Sequence, residues 1–194
     1  MGGTGTAGCR CPGRFVYQAN HGVGDAQVTN LAMELEIVVE VGGSVCHEEK
    51  GLLRVGPASA GAYPGPACYG FGGPFCLTDV NLLLGRLDSS RFATPVVLAD
   101  AEQRLQEMIH KTGKSKKDLL EGFVSLANDS MANAIRKISI EEGYDPSNHA
   151  LVAFGGAGGQ HACGVATKLG MSTILSPGDS GLLSAYGLLC SKVE

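Results

Sequence analysis

The chain has 194 residues, 44% hydrophobic and 18% charged, which is globular material and excludes a disordered tail. A net charge of −4 and a pI near 5.7 argue against a nucleic-acid partner, and the one basic run, Lys114 to Lys117, is explained as a solvated face at a helix start. No apolar stretch approaches the ~18 residues of a membrane span, no signal-peptide core is visible, and seven irregularly spaced cysteines point to free thiols in the cytosol.

The 29 glycines are the compositional outlier. They cluster in loops, where glycine marks tight turns or backbone that approaches a ligand closely. Gly3-Thr-Gly-Thr-Ala-Gly8 satisfies GxGxxG, but a dinucleotide fingerprint needs a strand before it and a helix after it. A glycine-threonine hairpin around a phosphate suits the residues better, because amides and threonine hydroxyls both donate to phosphate oxygens. A plain surface hairpin remains the alternative. Residues 1 to 75 form a β-rich part. Strands are expected at Phe15-Val16-Tyr17, Leu35 to Val41 and Leu52 to Val55, with a turn at Glu48 to Gly51. Three prolines and six glycines between Gly56 and Gly73 predict a long shaped loop without regular structure.

From residue 76 onward the chain turns helical. Thr78 is the expected cap of a short helix running to Leu87, with Asp79 in its first turn. Asp100 with Gln103 and Ser115 with Asp118 form capping boxes for two more helices. The second of these carries Leu119, Phe123, Val124, Ala127, Met131 and Ile138 at helical spacing, a core-facing stripe extending to about Glu142.

Ala150 to Phe154 is expected as a buried strand, Gly155 to Gly159 as a turn, Gln160 to Leu169 as a helix and Thr173 to Leu175 as a second strand. Ser180 to Leu189 is expected as a closing helix. Strand, turn, helix, strand is a βαβ unit with a parallel pair and the turn at the strand's carboxyl end, where open α/β sheets bind ligands. Four glycines in five positions let a base or ribose lie on the backbone, and the helix amino end favours anions. A helix-packing turn is the alternative. His161 in the first helical turn either reacts or caps and packs, and packing is the simpler reading. Cys9, Cys11, Cys46 and His47 suggest zinc only weakly, since CxC is not the CxxC knuckle; no metal site is assigned.

Three stretches together resemble the hydantoinase A/5-oxoprolinase family. They are Met1-Gly-Gly-Thr4; Arg54-Val-Gly-Pro57 through Ser59 to Tyr69 with Thr78-Asp-Val-Asn81 and Leu84-Gly-Arg-Leu87; and Leu151 to His161. The resemblance covers nearly the whole chain as one domain of that type, residues 1–194, in partial form. It implies the second half of an actin-like, ribonuclease H-like α/β ATPase fold. It also implies ATP with Mg2+ as cofactors and a small cyclic amide as substrate, such as 5-oxoproline opened to glutamate or a hydantoin. Gly2, Gly3, Thr4 and Thr6 would hold phosphate, and Gly155, Gly156 and Gly158 would hold adenosine. The resemblance gives no catalytic residue. It implies a missing amino-terminal half and a second hydantoinase-type subunit or domain as partners, in the setting of cytosolic glutathione metabolism. Ketone carboxylase subunits share the domain, and an inactive remnant or interaction module of the same fold is a further alternative.

The sequence departs from the family pattern in that loop. The family's loop resembles Asp-Met-Gly-Gly-Thr-Ser-Thr-Asp; the sequence here starts at the methionine, without the leading aspartate, Gly5 replaces the serine and Ala7 the closing aspartate. Ala58, Tyr63 and Phe71 replace a glutamate, an aspartate or asparagine, and an arginine. A chain lacking the loop carboxylates has no protein ligand for magnesium there; a truncated or degraded gene product and a functional short protein are both open readings.

Overall fold

A computed structural model describes residues 5–11, 13, 17–23, 26–33, 36–38, 42–92 and 95–190. Strand β1 (Thr6–Gly8) pairs antiparallel with β4 (Glu36–Val38), and β2 (Tyr17–Val23) with β3 (Ala26–Met33). The expected strand at 15–17 survives as Tyr17, the first residue of β2, and that at 35–41 as β4; their other residues lie outside the described ones. The β2–β3 hairpin was not expected, since Gln18, Asn20, His21, Gln27, Thr29 and Asn30 leave no apolar run to announce it.

Strands β5 (Ser44–Glu49) and β6 (Leu52–Ser59) form a hairpin whose ends pair Glu49 with Leu52. Lys50 and Gly51 between them both take positive φ, 52° and 83°, as the tightest two-residue hairpin turn requires. Strand β6 corrects the expectation of irregular chain from Gly56. Ser44 to Cys46 on β5 stands opposite Val55 to Ser59 on β6, so a bulge absorbs the extra residues and the ladder resumes at Ser59.

Five helices follow: α1 (Leu77–Leu83), α2 (Leu98–Thr112), α3 (Lys116–Lys137), α4 (Gly158–Leu169) and α5 (Leu183–Cys190). Cys76 caps α1 in place of Thr78, whose own amide donates to Gly42 O over 2.8 Å. The helix ends at Leu83, four residues before Leu87. Val97 replaces Asp100 as the cap of α2, leaving Asp100 in the first turn. Ser115 caps α3 as expected, accepting from the amide of Asp118 over 3.1 Å. That helix stops at Lys137, and residues 138–143 continue as turns, with Ser139 Oγ donating to Ile135 O.

Helix α3 is the centre of the molecule. It packs against α1, α2, α4, β1, β4 and β6. Its stripe of Leu119, Phe123, Val124, Ala127 and Met131 joins Phe75, Leu77, Val80, Leu105, Val165 and Leu169 in the main core. Phe123 is fully buried and meets Phe75 edge-on, ring centroids 6.2 Å apart. Gly122 lets β6 come close, since a Cβ there would stand 2.8 Å from Leu53. Strands β7 (Leu151–Val152) and β8 (Ile174–Leu175) pair parallel across α4, the expected βαβ crossover.

Candidate functional site

A cavity of about 670 Å3 opens between β1, the carboxyl half of α3 and the β7–α4 unit. Gly8 seats β1 on α3, with a Cβ position 3.7 Å from Ile138. The wall is largely apolar, with Met131, Ile135, Val165 and Phe154 among its residues, and Thr6, Arg10, His149 and His161 supply polar groups. The size lies within the range of small-molecule pockets.

The expected site residues separate into three groups. Gly2, Gly3 and Thr4 lie outside the described residues. Thr6 opens β1 and lines the cavity, and Gly158, the first residue of α4, lines it too. Gly155 and Gly156 stand next to the wall and are not part of it. Gly155 needs to be glycine, because its φ is +84° while its amide donates to Ser180 O over 2.7 Å. Gly156 and Gly159 have no such local reason: a Cβ on either would meet nothing within 4 Å. No side chain caps α4 and its first turn carries no acid, so its positive end is left to other groups.

His161 is 2% exposed and uses both ring nitrogens. Asn81 Nδ2, from α1, donates to its Nε2 over 2.9 Å. Its Nδ1–H donates to Asn128 Oδ1, from α3, over 2.8 Å. An amide nitrogen only donates and an amide oxygen only accepts, so the two contacts fix the tautomer. Burial, and secondarily the charge of Arg86, lowers its pKa to about 4. The ring is neutral and fully committed, which supports packing over reaction. Gly164 makes room for the arrangement, since a Cβ there would run into Asn128. Arg86 Nη1 donates to Gln160 O over 3.2 Å and ties the α1 exit to α4.

Asp79, wholly buried, holds the loop before α1. Its Oδ2 accepts from the amides of Cys76 and Ala67 over 2.7 and 3.1 Å, and its Oδ1 from Cys68 over 2.8 Å. Burial raises its pKa, and the hydrogen bonds from Cys68 and the three amides pull it back. Burial, followed by the charge of Asp79, pushes the Cys76 thiol up to about 12. Cys46 and Cys68 are raised too, by burial first, so these three thiols are inert packing. Cys46 is buried while Cys9 and Cys11 are exposed, and no three candidate metal ligands gather among the described residues.

Sequence reasoning missed Asn81, Asn128 and Arg86 as parts of the site. Asn128 did leave a signal. It falls between Val124 and Met131 on the apolar stripe of α3, where a polar residue needs a buried partner.

Residues 1–194 match the hydantoinase/oxoprolinase family. The chain is 39% identical to the 5-oxoprolinase PfmaA of Pestalotiopsis fici and 36% identical to 5-oxoprolinase 1 of Arabidopsis thaliana, over 97% of its length in each case. It spans 16% of each of those relatives. The ATP-dependent caprolactamase of Pseudomonas jessenii superposes with a TM-score of 0.77 at 35% identity, over 86% of this chain and 25% of that one. An acetone carboxylase superposes with a TM-score of 0.85 at 21% identity, over 96% of this chain and 28% of the other, a likeness of fold alone. With a mixed α/β architecture shared with these structures and a family match along its whole length, the chain belongs to the hydantoinase/oxoprolinase family.

Proposed function

We propose that this chain supplies the nucleotide-facing part of an ATP-dependent amidohydrolase that opens a small cyclic amide such as 5-oxoproline or a hydantoin. The carrying observation is the meeting of Thr6 and Gly158, from opposite ends of the chain, on the wall of one cavity. The family match and relatives named 5-oxoprolinase and caprolactamase support the reaction class.

The residues present fit a nucleoside: an apolar wall for the base, and a helix amino end and the Thr6 hydroxyl for anionic oxygens. Gly2, Gly3, Thr4 and Thr6 are proposed on the phosphates and Gly155, Gly156 and Gly158 on the adenosine. ATP, when bound, supplies the phosphoryl group that activates an amide oxygen; the chain's own residues bind and orient it. A resident Mg2+ fits less well. Magnesium prefers carboxylate oxygens, and the cavity wall holds no Asp or Glu among the described residues. That observation favours a second reading, a binding module of the same fold without turnover. We place the protein in the cytosol; no helix among the described residues is long and apolar enough to cross a membrane.

Calorimetry with ATP tests the proposal. The chain is expected to bind at roughly millimolar concentration, about −4 kcal/mol. Gly156→Val is expected to lose that binding without losing stability, because the new side chain has open space in the free protein. Equal affinity in both proteins would overturn the adenosine assignment.

A further inference from the structure

Cys9 and Cys11 are exposed, neither is in a disulfide, and both stand in the cavity wall with Thr6. They are close enough to influence each other: partial burial and then the neighbouring Cys11 sulfur hold the Cys9 thiol above its ordinary pKa. Arg10 between them also lines the cavity. Its guanidinium carbon lies 3.6 Å from the centroid of the Tyr144 ring, a cation–π contact, while its Nε is buried without a hydrogen-bond partner. Stacking on Tyr144, with no hydrogen bond to that nitrogen, holds this part of the wall. The other described cysteines offer no such pair by sequence: Cys46, Cys68 and Cys76 are buried, and Cys163 and Cys190 are exposed but solitary, on α4 and α5.

We propose that Cys9 and Cys11 form a reversible dithiol–disulfide site, closed by exchange with a small-molecule disulfide, and that closure reshapes the cavity wall at Arg10. One cysteine thiolate attacks a sulfur of the small disulfide, forming a mixed disulfide and releasing one small thiolate. The thiolate of the second cysteine then attacks the protein sulfur of that mixed disulfide, forming the Cys9–Cys11 bond and releasing the second small thiolate. The two cysteines are oxidised, the small disulfide is reduced, and the two cysteine protons end on the released thiols.

Closure constrains the chain at Arg10. A disulfide holds its Cα atoms within about 4.4–6.8 Å, so the bond closes a small ring through the backbone of Arg10, and in the closed form the guanidinium leaves Tyr144. So small a ring is easily reduced again, which suits a sensor in a reducing compartment. The disulfide itself is independent of the nucleotide reading; only its effect on ATP affinity rests on that reading.

The whole chain is incubated with oxidised glutathione in mildly alkaline buffer, remaining thiols are alkylated, and the products are mapped by mass spectrometry. A Cys9–Cys11 cross-link carrying no glutathione is expected, and Cys9→Ser is expected to trap glutathione on Cys11. Glutathione on both Cys9 and Cys11 of the unaltered chain, or no reaction at either, would overturn the site. Near-ultraviolet circular dichroism, with Tyr144→Phe as the reference, should lose the Tyr144 contribution on oxidation and regain it with dithiothreitol; an unchanged spectrum despite the cross-link refutes the reshaping. Oxidation should also weaken ATP binding several-fold, reversibly. If neither form binds ATP, the nucleotide reading fails while the mapping and the spectrum still decide this proposal.

Discussion

Asn81 and His161, eighty residues apart in sequence, meet in the interior with Asn81 Nδ2 donating to His161 Nε2 over 2.9 Å. Asn128 completes the latch from the other side of the ring, so α1, α3 and α4 are joined by one buried imidazole. Helix α4 begins at Gly158 on the cavity wall, only three positions before His161. The histidine thus fixes where the amino end of α4 sits, and with both nitrogens engaged it has no lone pair to offer a substrate.

This latch makes stability depend on pH. His161 has an ordinary pKa of 6.5 and a folded one of about 4. Between those values the unfolded chain binds the extra proton and the folded one does not, so stability is complete above pH 6.5 and falls as the pH drops toward 4. His161→Leu should lose this dependence and, by stranding two buried amides, cost about 2–4 kcal/mol at neutral pH. Urea titrations of both proteins across that range check it; parallel pH profiles would show that His161 is not the titrating group.

The core stripe of α3 gives a contrast in one helix. Phe123 is fully buried against Phe75, whereas Lys116 is exposed in the first turn. Phe123→Ala should cost about 3–5 kcal/mol and Lys116→Ala less than about 0.5. Similar denaturation midpoints for the two would contradict the packing.

These elements differ in how far the sequence announced them. The stripe of α3 and the βαβ unit were visible because apolar residues at helical spacing, and a glycine turn between short apolar runs, are local signals. The latch was not, since nothing local joins Asn81 to His161. Asp79 was visible only as an acid in a first helical turn, while its main partners are amides 11 and 12 residues upstream. The β2–β3 hairpin escaped because its strands show no apolar alternation. In the site, Thr6 and Gly158 were singled out separately, but only the fold could put them on one cavity.

Asp79 supports a further test. Its two oxygens accept three backbone amides, and an asparagine would turn an amino group toward some of them. Asp79→Asn should therefore cost about 2–4 kcal/mol despite removing a buried charge, because it leaves backbone donors unpaired. It should also expose the chain around Ala67 to Cys76 to limited proteolysis. A variant as stable and as resistant as the parent would show that the carboxylate is dispensable.

The last prediction separates nucleotide binding from metal placement. The cavity wall offers a hydroxyl, a guanidinium and a helix amino end among its polar features, but no carboxylate among its described residues. ATP binding to this chain should consequently change little when Mg2+ is added, as the ion gains no protein ligand there. Ala7 is exposed in β1 and lines the cavity, opposite Ile37 in the ladder with β4. An aspartate at that position projects a carboxylate into the same space without displacing core atoms, and Gly5 has open room for a serine beside it. The doubly substituted chain, Gly5→Ser with Ala7→Asp, should bind MgATP more tightly than ATP alone by about tenfold, which is about 1.4 kcal/mol. Calorimetry with and without Mg2+ on parent and variant decides the matter. A parent chain that already prefers MgATP tenfold would mean that its metal ligands lie elsewhere, and a variant with no preference would mean that β1 does not face the phosphates.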